Sequence, residues 1–148
     1  MTSRRRALAR AVSVTVPGLG LLLGACGNTF SGSTLSEQVT NWASTAGLSA
    51  SVTTLQGDIR RIDADTGPAA SALKTDCDVL VTDALSANEN LPTPDQTLTN
   101  LLASAYSVAG DAGHDCFTGS DLARSATERV TARRDLIKAL ARFDTVTT

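Results

Sequence analysis

Aromatic residues and histidine are scarce in this sequence. The aromatic residues make up 3% of its 148 residues, and there is one histidine. The formal charge is only −2, which gives no electrostatic reason to expect nucleic acid as a partner. The composition is otherwise ordinary, with 42% hydrophobic and 19% charged residues, so a collagen-like, coiled-coil-only or strongly disordered chain is excluded. The length is that of one domain.

The side chains that most often carry catalysis are correspondingly few. With His114 as the single histidine, neither Ser-His-Asp nor Cys-His chemistry has independent support. His114 and Asp111 could share one helix face, but two ligands make a poor site for zinc. No phosphate-binding loop is present in the sequence. We therefore expect a protein that is not an enzyme and that holds no metal and no other cofactor.

The N-terminal segment has the pattern of an export signal. Four arginines lie between residues 4 and 10, and residues 11 to 25 carry no charge. That uncharged stretch is shorter than the roughly 20 apolar residues a membrane-spanning helix needs. It ends in Leu23-Gly24-Ala25-Cys26, which resembles the lipobox of bacterial lipoproteins. In that family the cysteine is acylated and the chain is cut before it; the alternative is a secretory signal with a chance cysteine.

This resemblance implies three parts: a signal peptide (1–25), a lipidated Cys26 with a flexible tether (26–33), and a folded domain (34–148). The tether could span about 25 Å at most. Four of the 13 basic residues fall in the leader, so nine remain against 15 acids and the mature charge is −6. Anionic lipids would therefore add little to attachment, which rests on the acyl chains. We expect the protein on the extracytoplasmic face of the cell membrane, beside an envelope protein partner.

Apolar residues in the body recur at three and four positions apart, which favours helices. Thr34 and Glu37 have the spacing of a capping box, so a helix should begin at Leu35. The apolar stripe changes direction at Gly47, which predicts a break or strong kink and a second helix over residues 49–63. One continuous helix with two differently packed halves is the alternative.

Three further helices are predicted along the rest of the chain. One ends near Asn88, and the next should be capped by Thr93 with Pro94 as its first residue. The last helix begins near Asp121. The predicted packing faces are Leu73, Cys77, Leu80, Ala84 and Ala87; then Leu98, Leu102, Ala105, Ala109, Ala112 and Cys116; then Leu122, Ala126, Val130, Ile137, Leu140 and Phe143. The fold class is all-α, an antiparallel bundle of about four main helices, the first one broken or kinked near Gly47.

Cys77 and Cys116 both fall on predicted packing faces. A disulfide is the leading interpretation for an exported domain, and two buried free thiols are the alternative. In a tight hairpin the two positions would miss each other by roughly 12 Å. An extended connection over residues 91–94 could supply that offset.

The chain also resembles a group of exported, functionally uncharacterised actinobacterial proteins over about residues 40 to 140. The features that match are Trp42 followed by Gly47, Leu55 with Asp58, Asp76-Cys77 with Leu80, Pro92-Thr93-Pro94-Asp95, Tyr106, and Cys116 followed by Gly119. The resemblance implies a secreted or anchored helical domain with one disulfide. It supplies no activity.

Four other residues have more than one interpretation. Arg129 and Arg133 project into the predicted apolar arc of the last helix, so they pair with carboxylates such as Asp76 or Asp83, snorkel past the core edge, or mark an interaction face. Trp42 and Tyr106 belong to the core or contact a ligand. The function we expect is a non-enzymatic interaction or structural module of the cell envelope, and the alternative is a protein that binds a small apolar ligand or lipid.

Overall fold

Residues 32–65 and 70–148 are described by the structure, a computed structural model, and they form five α-helices. The helices are α1 (Leu35–Ala46), α2 (Leu48–Ala64), α3 (Ala70–Asn88), α4 (Gln96–Thr118) and α5 (Leu122–Thr147). These residues contain no strand. The predicted all-α bundle is confirmed, and the first of its expected helices is divided into α1 and α2.

The start of α1 and its end at Gly47 follow from local chemistry. The Thr34 hydroxyl accepts a hydrogen bond from the Glu37 amide, and the Glu37 carboxylate accepts one from the Thr34 amide at 2.7 Å. Gly47 has a φ of 64°, a left-handed conformation that glycine adopts without steric cost. Helix α1 ends there and α2 begins at Leu48. The capping box and the break are both confirmed.

The predicted start of α4 is wrong by two residues. Asp95, and not Thr93, is the cap, and its carboxylate accepts a hydrogen bond from the Leu98 amide at 2.7 Å. Thr93 is buried before the helix, where its hydroxyl donates to the Asp95 carbonyl at 2.7 Å. Asp95 also binds Arg142 of α5 at 2.7 Å. A charged cap with this second partner satisfies the helix start better than a threonine hydroxyl alone.

Helices α4 and α5 run antiparallel and are joined near both ends by ion pairs. Arg142, late in α5, binds Asp95 at the start of α4. Arg124, early in α5, binds Asp115 near the end of α4, with 2.6 Å between its Nη2 and the carboxylate Oδ1. Both carboxylates are nearly buried, and the guanidinium groups hold their pKa values below the usual range.

The packing face predicted for α5 is wrong for four of its six residues, since Ala126 is exposed as well. Leu122, Val130 and Ile137 are 57, 64 and 57% exposed, whereas Leu140 and Phe143 are partly buried. The buried face is instead formed mainly by small residues, which let α5 lie close to the alanine-rich α4. A serine hydroxyl on this face donates to the carbonyl of Ala112 at 2.7 Å. The buried residues of α5 are Ser125, Ala132, Asp135, Leu136 and Ala139.

The predicted packing faces of α3 and α4 are confirmed. Leu73 is partly buried, and every other residue expected on these two faces is buried. Helices α3 and α4 run antiparallel. The contacts show this, since Cys77 lies beside Cys116 and the later residue Ala84 lies beside the earlier residue Gly110. The side chain of Arg61 in α2 reaches Asp76 in α3 at 3.6 Å, so that the bundle continues from α2 through α3 and α4 to α5.

Candidate functional site

Cys77 and Cys116 form a disulfide with 5.8 Å between their Cα atoms. The predicted pairing is confirmed. Residues 89–95, between α3 and α4, supply the offset that a tight hairpin would lack. Both sulfur atoms are consumed in the bond, so neither cysteine is a thiol nucleophile or thiolate ligand.

Arg129 and Arg133 bind the same carboxylate. Their guanidinium groups lie 2.8 Å from Oδ1 and Oδ2 of Asp63, respectively, at the end of α2. Burial alone would raise the pKa of Asp63, but the two hydrogen bonds outweigh it and lower the pKa. Pairing with a carboxylate is found, but the named partners were wrong. Asp76 instead lies near Arg61 of α2, and Asp83 lies near Asp58 of the same helix.

Arg129 is held from two sides. Its side chain is only 12% exposed, and in addition to Asp63 it donates to the Ser125 hydroxyl at 2.7 Å. The side chain of Arg133 is 39% exposed. The two arginines therefore connect α5 to α2, and a partner would have to compete with Asp63 for them.

The outer face of α5 carries the apolar side chains that sequence analysis had assigned to the core. We define it by Leu122, Val130 and Ile137, which extend over about 22 Å of the helix. Exposed alanines lie between them at positions 123 and 126, and another follows at position 141. Arg134 and Lys138 flank the stripe and bind Asp135 at 3.2 and 3.0 Å. Exposed apolar side chains with a charged border can form a surface that another molecule covers.

Asp58 is a carboxyl group inside the bundle. It is fully buried on α2, where Arg61 binds its Oδ1 and its Oδ2 has no hydrogen-bond partner among the described residues. Burial raises the pKa of Asp58 to about 6, and the neighbouring Asp83 carboxyl adds to the increase. The pair can share a proton between α2 and α3. Sequence analysis missed this role, although an aspartate between Leu55 and Ile62 on an apolar stripe was a visible signal.

Trp42 has a structural hydrogen bond. Its indole Nε1 donates to the carbonyl oxygen of Asn90 at 2.9 Å, which ties α1 to the connection between α3 and α4. The rest of its side chain packs against the core. Trp42 does not line the cavity beside Tyr106, the other residue predicted as a ligand contact.

Tyr106 lines a groove between α3 and α4 with a volume of about 330 Å³. The residue is 3% exposed, and burial raises the pKa of its hydroxyl to about 12. That hydroxyl makes no hydrogen bond to another described residue, yet it is not among the enclosed polar atoms without a partner. Its oxygen therefore keeps some accessible surface in a residue that lines the groove. The other lining residues are Val81, Ala84, Leu85, Asn88, Ser107, Gly110 and Asp111.

Sequence analysis missed most of this groove. Leu85 is 61% exposed. In the sequence it is a large apolar residue outside the predicted packing face of α3, and this was a signal that could have indicated the groove. Gly110 gives only a weak signal, since a glycine within a helix has several possible reasons.

His114 is exposed on α4, next to the Asp115 carboxylate that binds Arg124. Within residues 32–65 and 70–148 no three side chains are grouped as metal ligands would be, and none of the helices there is long and apolar enough to cross a membrane. Cys26, the predicted lipidation site, lies outside the described residues. No protein-family model, curated protein or solved structure matches this chain.

Proposed function

We propose that this protein is a lipid-anchored, non-enzymatic module that binds another protein at the extracytoplasmic face of the cell membrane. The lipobox-like sequence that ends in Cys26 supports the anchor, and so does the resemblance to exported actinobacterial proteins. The observation that carries the binding role is the outer face of α5. It places three large apolar side chains in solvent on a helix whose opposite side is packed.

The geometry near the tether supports this role. The hydroxyl of Ser36, in the first turn of α1, donates to the carbonyl of Thr147 at the end of α5 at 3.3 Å. The chain therefore enters the bundle at the end where α5 finishes. A short tether from Cys26 would keep that end of α5 within about 25 Å of the lipid. An anchored surface meets anchored partners at a raised local concentration, so a modest apolar contact is sufficient.

Crosslinking in intact cells tests the binding surface. A double Val130→Lys and Ile137→Lys variant should lose the neighbour that the unchanged protein captures, because it places charge in the apolar stripe. The matched control is Ser104→Lys, which adds charge at an exposed position of α4. Equal capture by the double variant and by the unchanged protein would contradict the α5 surface.

The anchor is tested separately. Mass spectrometry of the mature N-terminus should show an acylated Cys26, and the Cys26→Ser form should leave the membrane fraction. If the native chain carried its leader uncut and unacylated, the lipoprotein proposal would be wrong while the α5 surface could stand.

A further inference from the structure

The groove between α3 and α4 has an apolar middle and two different polar ends. Leu85 and Ala84 of α3 face Gly110 of α4, where the missing side chain leaves room: a Cβ added there would lie 3.9 Å from that of Ala84. Since the two helices are antiparallel, Asn88 falls at the end near Tyr106. Asp111 lies at the opposite end, about 7.5 Å further along the axis of α4.

The Tyr106 end can form hydrogen bonds that the fold does not use. The residue is 97% buried, and a buried phenol normally finds a hydrogen-bond partner. No hydrogen bond joins this hydroxyl to a described residue, and its oxygen is not fully enclosed, so a bound molecule or water can be its partner. Because it stays protonated at neutral pH, it can donate to an oxygen or nitrogen of a bound molecule, and the exposed Asn88 amide can assist.

The Asp111 end carries an uncompensated negative charge. Asp111 forms no ion pair with a described residue, in contrast to Asp115, which binds Arg124. The negative charge of Asp111 helps to raise the pKa of Glu128, a like charge on α5. A cation is therefore the complementary group at this end.

We propose that this groove is a binding site for a small organic cation with an apolar body. The ammonium group lies at Asp111 and the apolar body covers Leu85. A hydrogen-bonding group at the far end of the molecule meets the Tyr106 hydroxyl. About 330 Å³ is at the small end of the range for ligand pockets, which restricts the occupant to a short molecule. The site is independent of the outer face of α5, whose residues do not line it.

Tyr106 is the single tyrosine of the chain, so its ring signals in NMR report on this groove alone. The full-length chain with isotope-labelled tyrosine is titrated with 5-aminopentan-1-ol, with pentane-1,5-diol and with 5-hydroxypentanoate. The amino alcohol should shift the ring signals saturably, with half-saturation at about 1 to 10 mM given its few atoms. The neutral diol should bind at least fivefold more weakly, and the hydroxy acid should give no saturable shift.

Two variants locate the binding. Asp111→Asn should weaken the amino alcohol at least fivefold, whereas Asp144→Asn, on an exposed acid of α5, should leave it unchanged. Gly110→Leu should fill the groove and abolish the shift, and Gly110→Ala is its matched control. Equal binding of the diol and the amino alcohol, or no effect of Asp111→Asn, would overturn the cation assignment. No saturable shift with any of the three probes would overturn the site itself, even if the leucine variant failed to fold.

Discussion

Gly113 of α4 and Cys77 of α3 lie so close together that a Cβ atom at Gly113 would come within 2.8 Å of the Cys77 carbonyl oxygen. The same Cβ would lie 3.1 Å from the backbone nitrogen of Val81. Backbone atoms cannot move aside as a flexible side chain can. The absence of a side chain at Gly113 therefore sets the distance between α3 and α4 beside the disulfide.

Gly113→Ala should destabilise the fold by about 1 to 3 kcal/mol, because the helices must separate to admit one methyl group. Gly110→Ala is the matched control. It lies three residues away on the same helix, its Cβ would meet only ordinary contact, and alanine's helix propensity should stabilise it by up to about 1 kcal/mol. Urea unfolding of both variants measures the difference. Equal stability of the two would contradict the close approach at Gly113.

The buried Asp58 should make the fold more stable in mild acid. Its pKa of about 6 in the folded state lies above the ordinary value of 3.8. As the pH falls from 7 to about 5, the folded protein takes up a proton that the unfolded chain does not yet bind, so the free energy of unfolding rises. We expect an increase of roughly 1 kcal/mol over this range. Below about pH 4 the paired carboxylates with lowered pKa values, such as Asp95 and Asp115, lose their contribution and the stability falls.

Asp58→Asn tests the origin of this dependence. The variant should be more stable than the unchanged protein at pH 7, and its melting temperature should vary less between pH 7 and 5. Thermal unfolding followed by circular dichroism gives both values. A variant with the same pH profile as the unchanged protein would assign the effect to another group.

The two arginines on Asp63 should differ in their contribution to stability. Arg133→Gln should cost less than about 1 kcal/mol, as is usual for an exposed ion pair. Arg129→Gln should cost more, about 2 kcal/mol, because a more deeply buried guanidinium with two partners is lost and the Ser125 hydroxyl loses its donor. The comparison uses denaturant unfolding of each variant. A larger loss of stability in Arg133→Gln than in Arg129→Gln would contradict the explanation by burial.

Two adjacent residues of α5 test which side of the helix faces the core. Leu136 is fully buried, whereas its neighbour Ile137 is 57% exposed. Leu136→Ala should cost about 2 to 5 kcal/mol through the cavity it leaves. Ile137→Ala should change stability by about 0.5 kcal/mol or less. If Ile137→Ala destabilised the fold more than Leu136→Ala, the core-facing side of α5 would be the one that the sequence pattern predicts.

Helix α5 shows where sequence periodicity stopped being informative. The predicted packing face of α5 follows large apolar side chains such as Val130 and Ile137. The packed side instead combines Leu136 with Ala132 and Ala139, whose small side chains contribute little to a hydrophobic pattern but permit close helix contact. The faces of α3 and α4 were predictable because large and small apolar residues alternate there on one side.

The other features were predictable where they depend on neighbouring residues and were missed where they depend on residues far apart in the sequence. The capping box at Thr34 and the break at Gly47 involve residues within a few positions of one another, so the sequence contains all the information needed. The choice of Asp95 over Thr93 as the cap depends on Arg142, 47 residues away. The pairing of Arg129 with Asp63 spans 66 residues, and periodicity carries no information about such partners. The groove at Tyr106 likewise exists only after α3 and α4 are side by side.

The ion pairs Asp95–Arg142 and Asp115–Arg124 also fix the axial alignment of two smooth surfaces. Small side chains form shallow ridges, so an alanine-rich contact offers little resistance to sliding of one helix along the other. A shift by a single turn, about 5.4 Å, would break both pairs together and leave two nearly buried carboxylates uncompensated. The two ion pairs near the helix ends therefore select one axial alignment of α4 and α5 among several that would pack similarly.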